Sequence, residues 1–158
     1  MSGYRIRQCL LPVLLIPWLA ACLPTERSAP RQTIVEWPEQ RLLFIADERI
    51  GSVRAFHLGG APVPVAQTRT FERSSVRDIQ LDPVRGRLWV LGADAAYVHD
   101  AHRLALQKRI PLDARDVAGM RIENGGVTLL ASSNRVLGRI DAATLLALWH
   151  PALSVRRG

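Results

Sequence analysis

His99 and His102 flank Asp100 and are the first place to look for a metal site. A metal needs convergent ligands, and on an extended strand positions i and i+3 point to opposite faces. A surface hairpin is the expected setting, and no metal or cofactor is expected. Ser132 and Ser133 offer hydroxyls, but the sequence shows no evident base for them. Asp47, Asp94, Asp100 and Asp141 fall at equivalent or nearly equivalent turns. Acid–base catalysis needs two carboxyls converging in an apolar cleft. A turn Asp more simply accepts hydrogen bonds from its own backbone. No Gly-rich phosphate loop, G-x-S-x-G or H-E-x-x-H occurs. The expected protein is therefore not an enzyme. Arg54, His57 and Arg139, all on expected third strands, are the candidate contacts for an acidic partner.

The elements that carry these residues are short strands. From 76 to 112 four apolar runs are separated by turn signals. Ile79 and Leu81 alternate with polar neighbours. Asp82-Pro83-Val84-Arg85-Gly86 is a turn, because Pro presets φ and Gly accepts φ > 0. Leu88–Leu91 is a sheet-forming run. Ala96 to Val98 is a third strand, and Leu106–Ile110, stopped by Pro111, is a fourth. The unit is an antiparallel meander of about 40 residues, the size of one propeller blade.

The unit recurs. Glu123-Asn124-Gly125-Gly126 replaces the first turn, and strands are expected over 127–131, 137–140 and 145–149. Asp141 follows Asp100 by 41 residues. A looser copy occupies 33–66, with His57 standing 43 residues before Asp100. The fold class is all-β: a partial β-propeller of about three four-stranded antiparallel blades after an N-terminal signal segment. The blades are expected over 33–66, 76–112 and 117–150. Trp37, Trp89 and Trp149 fall on strands of three different blades and are expected to fill the wedges between sheets.

Asp100-Ala101-His102-Arg103-Leu104 and Asp141-Ala142-Ala143-Thr144-Leu145 resemble YVTN-type β-propeller repeats, in which a strand ends in Asp, a small residue and a turn. Asp82-Pro83 with Gly86-Arg87-Leu88-Trp89-Val90 is similar to that family's first hairpin. The resemblance covers residues 33–150. It departs at His57, which stands for the Asp, and at Arg139, where an apolar residue is usual. It implies a fold and no particular task, since propellers serve many.

Residues 1–21 read as a signal peptide. Arg5 and Arg7 precede an apolar stretch from Leu10 to Leu19 that is broken by Pro12 and Pro17, too short to span a bilayer. It ends in Leu19-Ala20-Ala21-Cys22, which resembles the bacterial lipobox. That resemblance implies cleavage before Cys22 and its acylation, with Leu19, Ala20 and Ala21 as the peptidase recognition residues. Residues 22–32 read as the acylated Cys and a flexible tether, and 151–158 as a basic tail. Cys9 would leave with the signal, so no cysteine remains for a disulfide. The expected address is the cell envelope, lipid-anchored and facing the periplasm, at the outer membrane.

The formal net charge is +7, and loss of Arg5 and Arg7 lowers it to +5. Export argues against nucleic acid and leaves anionic lipid or an acidic partner surface. The function expected is a non-catalytic envelope lipoprotein that presents a propeller-like surface for protein–protein interaction or scaffolding. The alternative is a fragment or subunit of a periplasmic propeller enzyme or redox protein. Three blades do not close a ring. Ile34, Val35, Leu42, Phe44, Leu129 and Leu130 are expected to leave both end blades apolar. Self-association of blade 1 against blade 3 of a second copy, or a different subunit, is expected to complete the propeller.

Overall fold

The computed structural model describes residues 33–47, 50–68, 76–113, 116–123 and 125–150. The signal segment, the tether and the tail, and with them Leu19, Ala20, Ala21 and Cys22, lie outside the described residues.

Twelve strands form three four-stranded antiparallel sheets, each in chain order. Blade 1 holds β1 (Ile34–Trp37), β2 (Leu42–Asp47), β3 (Ser52–His57) and β4 (Val63–Gln67). Blade 2 holds β5 (Asp78–Asp82), β6 (Arg87–Leu91), β7 (Ala95–Asp100) and β8 (Leu106–Pro111). Blade 3 holds β9 (Val117–Glu123), β10 (Gly126–Ala131), β11 (Val136–Asp141) and β12 (Ala147–Trp149). A single 3-10 turn, Pro38–Gln40, joins β1 to β2, and no α-helix occurs among the described residues. The chain is thus an all-β, propeller-like stack of three blades.

Register aligns the blades residue by residue. Leu42 pairs with His57, Arg87 with Asp100, and Gly126 with Asp141. The residue before each of these, Arg41, Gly86 and Gly125, has φ of 53°, 59° and 79°. That left-handed residue closes the first hairpin of every blade. Glycine takes it freely, whereas Arg41 takes it at some cost.

The second shared turn follows the third strand. Asp100 Oδ1 accepts the backbone N–H groups of His102 and Arg103 at 3.0 and 2.9 Å. Asp141 Oδ1 accepts those of Ala143 and Thr144 at 3.0 and 2.7 Å. Leu104 and Leu145 then enter the left-handed region at φ 53° and 58°. This is why β12 begins at Ala147 rather than at Leu145, where the apolar run suggests a strand: Leu145 belongs to the turn. Blade 1 has His57 here and builds the turn with Gly59 and Gly60 instead, the latter at φ 150°.

Neighbouring blades approach through their first strands, β1 to β5 and β5 to β9. In blades 1 and 2 the fourth strands are the most exposed. Two apolar seams hold the stack. Trp37, Leu42, Phe44, Val53 and Ala55 of blade 1 pack on Ile79, Leu88, Val90 and Tyr97 of blade 2. Trp89, Leu91 and Val98 of blade 2 pack on Met120, Val127, Leu129 and Ile140 of blade 3. Blade 2 is therefore apolar on both faces of its two inner strands, and β6 and β7 are buried almost throughout. Each fully buried aliphatic side chain stabilises the stack by about 1.5–3 kcal/mol.

Candidate functional site

Strand alternation gives each blade two faces, one toward the preceding position in the stack and one toward the following position. Cross-strand partners share a face. On blade 1 the face toward blade 2 carries Val35, Trp37, Leu42, Phe44 and Ala55, and its opposite face carries Ile34, Glu36, Leu43, Ile45, Arg54 and Phe56. On blade 3 the face toward blade 2 carries Met120, Ile122, Val127 and Ile140. The opposite face carries Arg121, Glu123, Gly126, Thr128, Leu130 and Arg139.

The two free faces differ from the expectation of equal apolarity. Val35, Leu42 and Phe44 point into the seam with blade 2, and Leu129 points into the seam from blade 3. Only Ile34 and Leu130 of the expected set lie on end faces, and Leu130 is itself buried. Blade 3 ends in a polar lattice. Arg121 Nη1 lies 2.9 Å from Glu123 Oε1, Thr128 donates to Glu123 Oε2 at 3.3 Å, and Arg139 donates to the Glu123 carbonyl at 3.3 Å. Arg139 lies across Gly126, where a Cβ would come within 2.7 Å of Arg139 Nε. The departure at Arg139 is thus a surface arginine on an end sheet, not a disturbed core.

Arg54, His57 and Arg139 do not form one patch. Arg54 sits on the free face of blade 1 with Asp47 Oδ2 3.7 Å away. His57 is exposed at the end of β3, on the opposite face from Arg54, since it pairs with Leu42 of the seam. Arg139 is at the far end of the stack. The histidine pair also separates. His99 is buried, sharing a face with Leu88 in the first seam, and burial lowers its pKa from 6.5 to about 4. His102 is exposed and rests against Trp37 with ring centroids 4.9 Å apart. Beside it, Asp100, Arg103, Ala105 and Gln107 line a shallow open hollow. No group of three His, Cys, Asp or Glu residues is placed to hold a metal among the described residues.

The turn carboxylates are engaged locally. Asp47 accepts from the Ile50 N–H at 3.3 Å. Asp94 lies 2.7 Å from Arg109 Nη2 and accepts from Tyr97 Oη at 3.3 Å. Burial pushes the Asp94 carboxyl up, but the Arg109 hydrogen bond and charge hold it below the usual value. The Thr144 backbone and hydroxyl hold the exposed Asp141 carboxyl below its usual value.

Sequence reasoning missed the polar bridges across the second seam. Asp78 is fully buried, and its Oδ2 accepts the Met120 N–H at 2.7 Å. Arg77 Nη1 donates to the Val117 carbonyl at 2.7 Å, and Arg87 Nη1 donates to the Ala142 carbonyl at 2.5 Å. Nothing local marks these side chains, because their partners lie about 40 residues or more away in sequence. Trp37, Trp89 and Trp149 do pack in or against the seams, Trp89 with no exposure and an indole N–H that has no acceptor.

No family model matches the sequence, and no curated protein matches it. Solved structures do match the fold, which is propeller-like. The Pan2 WD40 domain of Neurospora crassa is similar over 75% of this chain and 37% of its own, with 18% identity and a TM-score of 0.59. The N-terminal domain of Nup159 is similar over 79% of this chain and 35% of its own, with 13% identity and a TM-score of 0.56. The computationally designed Ika8 protein is similar over 73% of this chain and 34% of its own, with 12% identity and a TM-score of 0.58. The chain spans about a third of the length of each of these three. At such identities the likeness concerns fold alone.

Proposed function

We propose that this protein is a non-catalytic, lipid-anchored envelope protein whose propeller-like blades form an interaction surface for another protein. The observation that carries the reading is the stack itself: two apolar seams hold three sheets, while the fourth strands of blades 1 and 2 and Arg103, Arg109, Arg121 and Arg139 are left to solvent. A surface held this way needs little ordering on binding. The anchor rests on Leu19-Ala20-Ala21-Cys22 after an apolar stretch. Acyl chains on Cys22 would hold the stack at the envelope membrane, where two or more chains anchor stably. Arg54, His57 and Arg139 are separate contact points, not one site. Labelled fatty acid should enter the wild-type protein and not Cys22→Ser, and the wild-type protein should fractionate with membranes. A wild-type protein that takes up no label is not a lipoprotein. A bound chromophore or metal in the purified protein would overturn the non-catalytic reading.

A further inference from the structure

The two end faces of the stack were expected to meet each other, blade 1 of one copy on blade 3 of the next. Their chemistry argues for a different pairing. At the position where blades 1 and 2 place Phe44 and Trp89 in a seam, blade 3 places Thr128. Where blade 1 has Val35 and Ala55, blade 3 has Arg121 and Arg139. These side chains are tied together around Glu123, giving the polar outer surface expected of a capping repeat. Among the described residues blade 1 has no such cap. Its free face keeps Ile34, Leu43, Ile45 and Phe56 at the positions that are apolar seam residues in blade 3, where Met120, Val127, Leu129 and Ile140 stand. Ile34 is 58% exposed.

We infer that the free face of blade 1 is a self-association surface, packing against the same face of a second copy about a two-fold axis. Face-to-face sheets need apolar side chains from both sides, and blade 3 sets Arg121, Glu123, Thr128 and Arg139 across the middle of its free face, with the exposed Leu148 only on its outer strand. Charge decides the geometry. The face carries an exposed acid, Glu36 on β1, and a half-buried base, Arg54 on β3, with a second acid, Asp47 at the end of β2, 3.7 Å from Arg54. Glu36 and Arg54 flank β2 diagonally, because Glu36 pairs across to Leu43 and Arg54 to Ile45. An axis crossing β2 between Leu43 and Ile45 brings Glu36 of each copy opposite Arg54 of the other. The Arg54 side chain is 42% exposed, so its guanidinium can meet the incoming carboxylate. Two-fold contacts are self-complementary in just this sense. The inference names a partner within the interaction reading above, yet it does not depend on the anchor.

Light scattering on the full-length Cys22→Ser protein tests it apart from acylation, which fatty-acid labelling reads separately. The expected species is a dimer at micromolar concentration. Ile34→Glu should weaken it by roughly tenfold or more, since a buried unpaired charge opposes association. Leu148→Glu, on the exposed outer face of blade 3, should leave it intact. Glu36→Arg and Arg54→Glu should each weaken the dimer, and the double exchange should restore it. A monomer overturns the inference. So does a dimer broken by Leu148→Glu but not by Ile34→Glu, or single exchanges that the double exchange fails to rescue. Circular dichroism on each variant separates lost association from lost fold.

Discussion

Blade 2 meets blade 1 through Trp37 and Phe44, and it meets blade 3 through Trp89 together with Asp78, Arg77 and Arg87. The two seams use the same strand positions. Phe44 corresponds to Trp89, Thr33 to Asp78, and Leu42 to Arg87. Only the chemistry differs. Apolar packing is non-directional, so it brings two sheets together without fixing how they slide. A buried carboxylate on one backbone N–H, and two guanidinium groups on carbonyls, fix the register of the second seam. A buried polar bridge has this use even where its net contribution to stability is modest.

The largest effect should come from the aromatic at the shared position. Trp89→Ala should cost about 3–5 kcal/mol, and Phe44→Ala a similar amount, as large aromatics removed from a core do. Against a total of about 5–15 kcal/mol, either variant should be poorly folded. Trp89→Phe sharpens the comparison: it gives the second seam the side chain of the first and discards an indole N–H that has no acceptor. Its cost in a denaturant melt should be well below that of Trp89→Ala. Equal costs would mean the ring does more than fill the wedge.

A smaller effect separates the seams. Asp78→Ala leaves the Met120 N–H buried without its acceptor and should cost about 1–3 kcal/mol. Asp78→Asn, which keeps an acceptor, should cost less. Thr33→Ala, at the corresponding place in blade 1, should change stability by no more than about 0.5 kcal/mol. If Thr33→Ala and Asp78→Ala destabilise alike, the polar bridge does not distinguish the seams.

The last test is acidity, and it acts on the first seam. His99 lies on the face of blade 2 that packs on blade 1, at the position Phe56 holds in blade 1. Burial lowers its pKa from 6.5 to about 4. The unfolded chain therefore takes up a proton at higher pH than the folded chain does. The proton-linked penalty of His99 is absent above about pH 6.5, and stability falls as pH drops from about 6.5 to about 4. The slope is at most about 1.4 kcal/mol per pH unit. His99→Phe should flatten that part of the stability profile. An unchanged slope would place the acid sensitivity elsewhere.

Much was legible in the sequence because its information is local. Asp82-Pro83-Val84-Arg85-Gly86, the Asp100 and Asp141 turns and the spacing between them specify hairpins through φ preferences and side-chain-to-backbone bonds. Repetition of those turns defines three meanders, and short apolar runs define their strands. The assignment of residues to faces was not local. Strands such as Arg87–Leu91, apolar on consecutive positions, show no alternation that separates one face from the other. Which of Ile34, Val35, Leu42 and Phe44 meets a neighbouring blade depends on cross-strand register and on stacking order. The same holds for His99, whose burial comes from blade 1, and for Asp78, whose partner lies 42 residues onward. The sequence by itself determined the turns, the repeat and the all-β fold, because those follow from contacts within a few residues. Only the tertiary structure decided that the end face of blade 3 is polar and, among the described residues, that of blade 1 is apolar, because a side chain's face acquires meaning only when a second sheet packs against it.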